Sequence, residues 1–440
     1  MKLALFALLF AAASAVAAAD LITIYRAAQT ADAVYASARA TLRAEQEKLP
    51  QGLAGLLPTV SAAANTQFND RTLAFRGATT GIGGTSRFNS NSVSLVATQP
   101  LFSYQNWIAY EQAKVQVSQA ETQFLQTGQD LILRVAQSYF DVLVAENSVA
   151  LAAAQKAAIG EQLAQAKRNF EVGTATITDA NDAQARYDLT VSQEIAAQND
   201  LEVKKQALQQ IIGKPAPELA KVGADFPLAP PAPSSMEQWV EQAMNSSPQV
   251  RVAQANRELA EKEIARARSG HLPTLNAIAS YTDSGAGSGA QGGVGVDTTA
   301  TYIGLQLAVP LYQGGLVSSQ VRQALANLDK AKQDLENAKR TVAFNTRQAF
   351  LGVTSGIAQV KALQAALVSS QSSLDSSKLG QEVGVRTQVD VLNAQQQLIG
   401  ARRDYAQTVY NYALSALKLK SAAGTLSEDD LAYVNSWLQR

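Results

Sequence analysis

The sequence has no cysteine and a single histidine, His271, among 440 residues. The first absence excludes disulfide frameworks, thiolate metal sites and thiol catalysis. The second leaves almost nothing for imidazole acid–base or metal chemistry. Aromatic residues make up only 6% and charged residues 17%, and 37 basic side chains balance 37 acidic ones. No whole-chain field therefore favours nucleic acid, and no cofactor or metal is expected. All 12 prolines lie outside 101–214 and 311–440. A proline inside a helix costs about 3 kcal/mol, so these two stretches predict uninterrupted helices. Alanine, glutamine, leucine, lysine and glutamate dominate them, and Leu131, Val135, Tyr139, Val142 and Val149 recur at helical, near-heptad spacing. Beyond residue 19 there is no run of about 18 consecutive apolar residues to serve as a transmembrane helix.

What is present begins with an export address. Met1-Lys2 is basic, Leu3 to Val16 is apolar, and Ala17-Ala18-Ala19 supplies a small-residue cleavage pattern. The expectation is a signal peptide at 1–19 and a mature chain from Asp20. An uncleaved membrane anchor fits less well, because the run is short and ends in small residues.

The rest of the chain says one thing twice, at an offset of about 210 residues. Leu57-Pro58-Thr59-Val60 answers Leu272-Pro273-Thr274-Leu275, and Gln99-Pro100-Leu101-Phe102 answers Val309-Pro310-Leu311-Tyr312. Glu171-Val172-Gly173-Thr174 with Asp179 answers Glu382-Val383-Gly384-Val385 with Asp390. Two copies of one unit are fused. The first repeat, 20–214, is read as strands 59–70 and 91–100, a long helix 102–172 and a short helix 179–212. The second, 236–420, is read as strands 274–283 and 301–310, a long helix 313–383 and a short helix 390–420. Shorter helical stretches near 22–48 and 236–269, the latter broken around Pro248, precede each hairpin. The Pro-rich linker 215–235 and the C-terminal segment 421–440 are expected to wrap the helices near their middle. Each Val-Gly element is the reversal between a helix of about 100 Å and one of about 45–50 Å.

The strand segments alternate with period two. Val60, Ala62, Ala64, Thr66 and Phe68 share one face, as do Ile303, Leu305, Leu307 and Val309. About ten tilted residues span a bilayer. Segments 71–90 and 284–300, rich in Gly, Ser, Thr and Asn, read as exposed hairpin loops. Four strands cannot close a barrel, so membrane insertion demands an oligomer; a soluble sheet capping a helical rod is the alternative. Tyr104, Trp107, Tyr110 and Tyr312 suit an interfacial aromatic belt, or simple helix packing.

This unit resembles the TolC-type outer-membrane efflux and secretion ducts. The strings that carry the resemblance are Gly270-His271-Leu272-Pro273-Thr274-Leu275, Pro310-Leu311-Tyr312-Gln313-Gly314-Gly315, Val383-Gly384 with Arg386-Thr387 and Val389-Asp390-Val391-Leu392, and Leu419-Lys420-Ser421-Ala422 with Gly424-Thr425-Leu426. The resemblance implies a mainly α fold with β: a tandem-repeat helical barrel continuous with a 12-stranded trimeric transmembrane barrel, four strands per protomer. It implies a homotrimer in the outer membrane of a Gram-negative bacterium, with a long periplasmic portion. It also implies recruitment by a periplasmic adaptor and an inner-membrane efflux or ABC transporter, for tripartite efflux or type I secretion.

A duct needs a wall, a gate and docking surfaces rather than a catalytic group, and no catalytic residue is expected. Asp390 matches the family position lining the closed entrance, where three copies would form a carboxylate ring that binds multivalent cations and raises its own pKa. Asn393 stands where the family often has a second acid, and Asp182, one turn beyond Asp179, offers a partial replacement. The plainer reading makes Asp179 and Asp390 helix N-caps. Arg386 matches an arginine that latches the second hairpin to the first through positions matching Thr178 and Asp179, and Gln381 replaces a family tyrosine. Val172-Gly173-Thr174 and Val383-Gly384-Val385 would receive the adaptor tips. Gly287-Ser288-Gly289-Ala290-Gln291-Gly292 spells a phosphate-loop pattern but opens no helix, and His271 reads as structural. The competing readings are a non-conducting structural or adhesive outer-membrane protein and, remotely, an exported enzyme.

Overall fold

The structure, a computed structural model, describes residues 18–74, 84–174, 176–223, 226–291 and 294–438. Residues 1–17 of the expected signal peptide lie outside the described set. The elements are α1 (Leu21–Ala31), α2 (Ala33–Gln46), α3 (Lys48–Ala54), β1 (Thr59–Leu73), β2 (Gly84–Phe102), α4 (Tyr104–Glu171), α5 (Ile177–Ile212), α6 (Met236–Ser246), α7 (Pro248–Arg268), β3 (Thr274–Gln291), β4 (Val294–Ala308), α8 (Leu316–Glu382), α9 (Gln388–Ala422) and α10 (Glu428–Asn435). Each half thus runs short helices, hairpin, long helix, reversal, shorter helix. The chain divides into two units. One takes the residues up to Ala40, Gln123–Val250 and Ala338 onward; the other takes Thr41–Thr122 and Arg251–Asn337.

The first unit is built on the apolar stripe of α4. Leu131, Val135, Tyr139 and Val142 are all buried, beside Leu21, Ile24 and Ala28 of α1 and Tyr412, Leu414 and Leu417 of α9. The linker and C-terminal segment join this core. Leu219 pairs with Ala19 and Val222 with Leu438 through isolated bridges, and Trp437 stacks on Tyr412 with ring centroids 5.9 Å apart. Burial pushes the Tyr139 hydroxyl well above its ordinary pKa, so it stays protonated and donates to the Ala220 carbonyl at 2.6 Å. Tyr139→Phe is expected to leave that carbonyl short of a donor and to cost about 1–3 kcal/mol of stability, read from urea unfolding.

Asp32, only 4% exposed, separates α1 from α2. Its carboxylate accepts the Tyr35 N–H at 2.7 Å, opening α2, and takes both Arg134 Nη1 and Nη2 at 2.8 and 2.9 Å. The Arg134 guanidinium holds the Asp32 carboxyl below its usual range. Because the folded pKa is depressed, the pair's contribution is full above the unfolded value of about 3.9 and fades as pH falls through the lower folded value. Asp32→Asn should therefore lower the denaturation midpoint at neutral pH and flatten its fall below about pH 4, measured across an acid series.

The second unit holds an antiparallel sheet in the order β1-β2-β3-β4. Its strands have 15, 19, 18 and 15 residues, well beyond the ten expected. The segments 71–90 and 284–300 are therefore mostly strand and not loop, save 75–83 and 292–293, which lie outside the described residues. Polar composition fits the exposure of 71–74 and most of 294–300 but not the largely half-buried 284–290, and ladder hydrogen bonds come from the backbone and need no apolar side chain. Cross-strand contacts such as Asn69 Nδ2 to Ser90 Oγ at 2.8 Å and Arg87 to Asp70 at 3.0 Å support the extended register. The glycine-rich decoy lies in β3 as far as Gln291, and His271 closes a single 3₁₀ turn.

Candidate functional site: the sheet faces and the hairpin tips

Side chains alternate across a strand, so the register sorts the sheet into two faces. On one, Val60, Ala97, Ala279 and Ile303 form a row; the next row is Ala62, Leu95, Tyr281 and Thr301. Leu305 sits opposite Ala277, and Leu307 opposite Leu275. This apolar face has no cover: Ile303 is 84% exposed and Leu305 and Leu307 are also exposed. The exposed apolar side chains continue through Val309, Leu311 and Tyr312. From Thr301 to Ala308, seven steps at about 3.3 Å and a tilt near 40° rise roughly 18 Å, and Val309 and Leu311 carry the exposed apolar run onward toward the roughly 25 Å height of a barrel's lipid band. Tyr281 stands at one end, and Tyr104, Trp107 and Tyr312, all exposed, at the other. Beyond Tyr281 the same face turns polar, with Asp283, Asp297, and the Asp70–Arg87 pair.

The opposite face is chemically different. Its rows are Ser61, Val96, Ser280 and Tyr302; Ala63, Ser94, Thr282 and Ala300; and Asn65, Ser92, Ser284 and Thr298. Hydroxyl and amide groups dominate. A sheet apolar on one face and hydroxyl-lined on the other separates lipid from water. The helices α4 and α8 each contain an 18-residue window of mean hydropathy 1.2, but the continuous uncovered lipid-compatible surface belongs to the sheet.

At the hairpin tips of the first unit, the two reversals share one geometry. Gly173 has φ +78° and Gly384 φ +81°. Gly173 N–H donates to the Phe170 carbonyl and Thr174 N–H to that of Asn169, at 3.0 and 2.8 Å. Gly384 and Val385 repeat the pattern onto Gln381 and Gly380, at 3.1 and 2.9 Å. These are the paired bonds of a Schellman cap, which needs a left-handed residue at its centre. A Cβ at either glycine would meet no atom within 4 Å, so backbone conformation and not space demands glycine. Around each turn stand uncovered valines: Val172 is 72%, Val383 66% and Val385 77% exposed.

The helix starts correct the capping expectation. The N-caps are Thr176 and Thr387, with Asp179 and Asp390 three residues on in reciprocal capping boxes. Asp179 Oδ2 accepts from Thr176 N–H and Oγ1–H at 3.0 and 2.8 Å. Asp390 Oδ2 accepts from Thr387 N–H and Oγ1–H, both at 2.9 Å. The backbone N–H, then the hydroxyl, hold both carboxyls below their ordinary pKa. Within one chain this opposes the rise expected of a carboxylate ring. The signal was legible: Thr-x-x-Asp stands at 176–179 and at 387–390.

Within this single chain and among its described residues, Arg386 makes no bond to Thr178 or Asp179. Arg386 lies 3.9 Å from Asp390 of its own helix, while Asp179 is engaged by Thr176. The Arg386 stem folds over Gly380, where an added Cβ would sit 2.6 Å from Cγ; sequence reading missed Gly380. What joins the hairpins is a different set. Arg186 Nη2 donates to Asn393 Oδ1 at 3.4 Å, Gln162 Nε2 to Gln395 Oε1 at 3.0 Å, and Gln388 Nε2 to the Gln162 carbonyl at 3.3 Å. Asn393 is thus a hydrogen-bond acceptor for a neighbouring helix. Asp182 is exposed, and the backbone carbonyl of Gln381 takes part in the turn by accepting from Gly384 N–H.

A family description fits both halves. The outer membrane efflux protein family matches residues 13–214 and 239–425. The chain belongs to the outer membrane efflux protein family. Outer membrane protein TolC of Vibrio cholerae serotype O1 is 34% identical over 97% of this chain and 95% of its own length. The proteases secretion protein PrtF of Dickeya chrysanthemi is 32% identical over 90% of this chain and 86% of its own. The Campylobacter jejuni CmeC outer membrane channel shares the fold, with a TM-score of 0.78 at 18% identity over 95% of this chain and 90% of that one. As an outer membrane efflux protein, this chain is an exit duct of the outer membrane of a Gram-negative bacterium, and the non-conducting reading is set aside. Among the described residues, no group of three or more His, Asp or Glu could hold a metal ion.

Proposed function

We propose that three copies assemble into one duct. The carrying observation is an open four-stranded sheet with a lipid-compatible face, a hydroxyl-lined face and two 15-residue edges, β1 and β4. Unpaired edge groups in lipid cost several kcal/mol each, and an edge of β1 against a neighbour's β4 removes them. Three copies make twelve strands, above the minimum of about eight known for single-chain barrels. The mass of the detergent-extracted protein checks this: three chains are expected, and a stable monomer would sink the reading.

The duct is recruited by a periplasmic adaptor and an inner-membrane pump, for efflux and for type I secretion; the likeness to a protease secretion protein supports the second. The adaptor docks on Val172-Gly173-Thr174 and Val383-Gly384-Val385, whose valines are exposed without a structural reason inside the chain. Val383→Glu with Val385→Glu should cut export at least tenfold while trimers still assemble in the membrane, because a buried unpaired charge costs several kcal/mol. Export at the parental rate would remove the docking role. The gate is formed by Asp390 and Asp179, with Asp182 beside them. Its hold is shared between Arg386 at the tip and the clasp of Arg186, Asn393 and Gln162, all groups that an adaptor could loosen at a cost of about 1 kcal/mol per bond.

A further inference from the structure

The hydroxyl-lined face of the sheet carries a charge that neither the gate nor the lipid band explains. Among its described residues that face presents a single ionisable group with a formal charge, Arg71. Every described carboxylate of the four strands, Asp70, Asp283 and Asp297, belongs to the opposite face by register. Arg71 is positioned, too. Its guanidinium donates to the Ala290 carbonyl and lies over the Phe88 ring, 5.4 Å from the centroid. It therefore reaches from β1 across β2 to β3, over a concavity of about 460 Å³ floored by Asn65, Ser92, Ser284 and Thr298. Among the described residues one donor of the guanidinium is used, which leaves four N–H groups of a planar fork and no carboxylate beside the charge.

We propose that Arg71 and this concavity form an anion-binding site inside the barrel, past the lipid band on the side of the hairpin turns. Its ligands are molecules bearing clustered oxyanions, such as phosphate or sulfate esters, arriving from the external medium. The inference rests on the trimeric duct proposed above, which turns one arginine per chain into a ring of three. Rings of arginine act as anion sites in pores because the fork matches oxyanion geometry and the pore wall limits screening. Phe88 holds the guanidinium plane, and the serine, threonine and asparagine groups replace part of the ligand's hydration. The apolar outer face turns away from this pocket, so a lipid headgroup in the surrounding leaflet is not the occupant.

The probe is inositol hexakisphosphate, used on purified trimers in detergent and on single channels in bilayers without anionic lipid. Binding of one probe per three chains is expected, with block when it is added on the barrel side and little when added on the tip side. Arg71→Ala should weaken both binding and block at least tenfold, and Arg71→Lys should fall between, since it keeps the charge and loses the fork. Lys330→Ala, which removes an exposed cation of α8 far in sequence from the strands of the pocket, should leave both unchanged. Equal affinity in Arg71→Ala, or no binding to the parent trimer, overturns the site while leaving the duct intact. Absence of trimers and of conductance in the parent sinks the duct and this site together.

Discussion

Leu305→Arg is expected to destabilise the assembled trimer by about 2–4 kcal/mol per chain, the cost of a cation near the middle of a barrel's lipid face. Leu305 stands in β4 opposite Ala277, between Ile303 and Leu307 on the apolar face, and no part of its own chain covers it. The neighbouring position supplies the control. Gln306 pairs with Asn276 on the hydroxyl-lined face, so Gln306→Arg meets water and should stay within about 0.5 kcal/mol of the parent. Heat dissociation of the trimer on denaturing gels reads both. Equal losses at the two positions would show that the faces have been assigned wrongly.

Asp390→Ala carries the second large effect. Three Asp390 carboxylates at a closed entrance would hold a trivalent cation by direct Coulomb attraction, worth about 3 kcal/mol per pair of charges at 6 Å and an effective dielectric of 20. Removing them should weaken block by a trivalent hexaammine cation at least tenfold; unchanged block would move the ring to other residues. The capping bonds from Thr387 add a pH signature. They hold the Asp390 carboxyl below its ordinary pKa, so block should persist from neutral pH down to about pH 4 and fade below that as the carboxylates protonate. Asp390→Ala also removes half of the capping box. Thr387→Ala separates the two roles, because it costs about 1 kcal/mol of helix-start stability and leaves the charge in place.

The tips show how far a repeat can be read and where it stops. Gly173 and Gly384 were legible as reversals, since a glycine between two proline-free helical stretches has few other uses. The expected Arg386 latch was not visible in the same way. A resemblance transfers a residue, but its partner depends on what else competes for the same acid. Within this single chain Thr176, three residues away, engages one oxygen of Asp179, and the Arg386 stem lies over Gly380 of its own hairpin. Strand length failed for a related reason. Alternation marks only the part of a strand that one face must keep in lipid, while the protruding ends are held by backbone bonds to which composition is blind.

Absent cysteine, a lone histidine, proline-free stretches and a sequence said twice already determined a repeated helical protein with too few strands to close a barrel alone, and the resemblance of its motifs pointed to a duct. Local rules suffice there, because helix breaking, turn chemistry and period are properties of neighbouring residues. Which side chains meet was decided only by the tertiary structure. Arg134 on Asp32, Arg186 on Asn393, Gln162 on Gln395 and Arg71 reaching toward Ala290 join residues 102, 207, 233 and 219 positions apart. Pairings at that separation depend on how whole elements stack, and no local pattern encodes it.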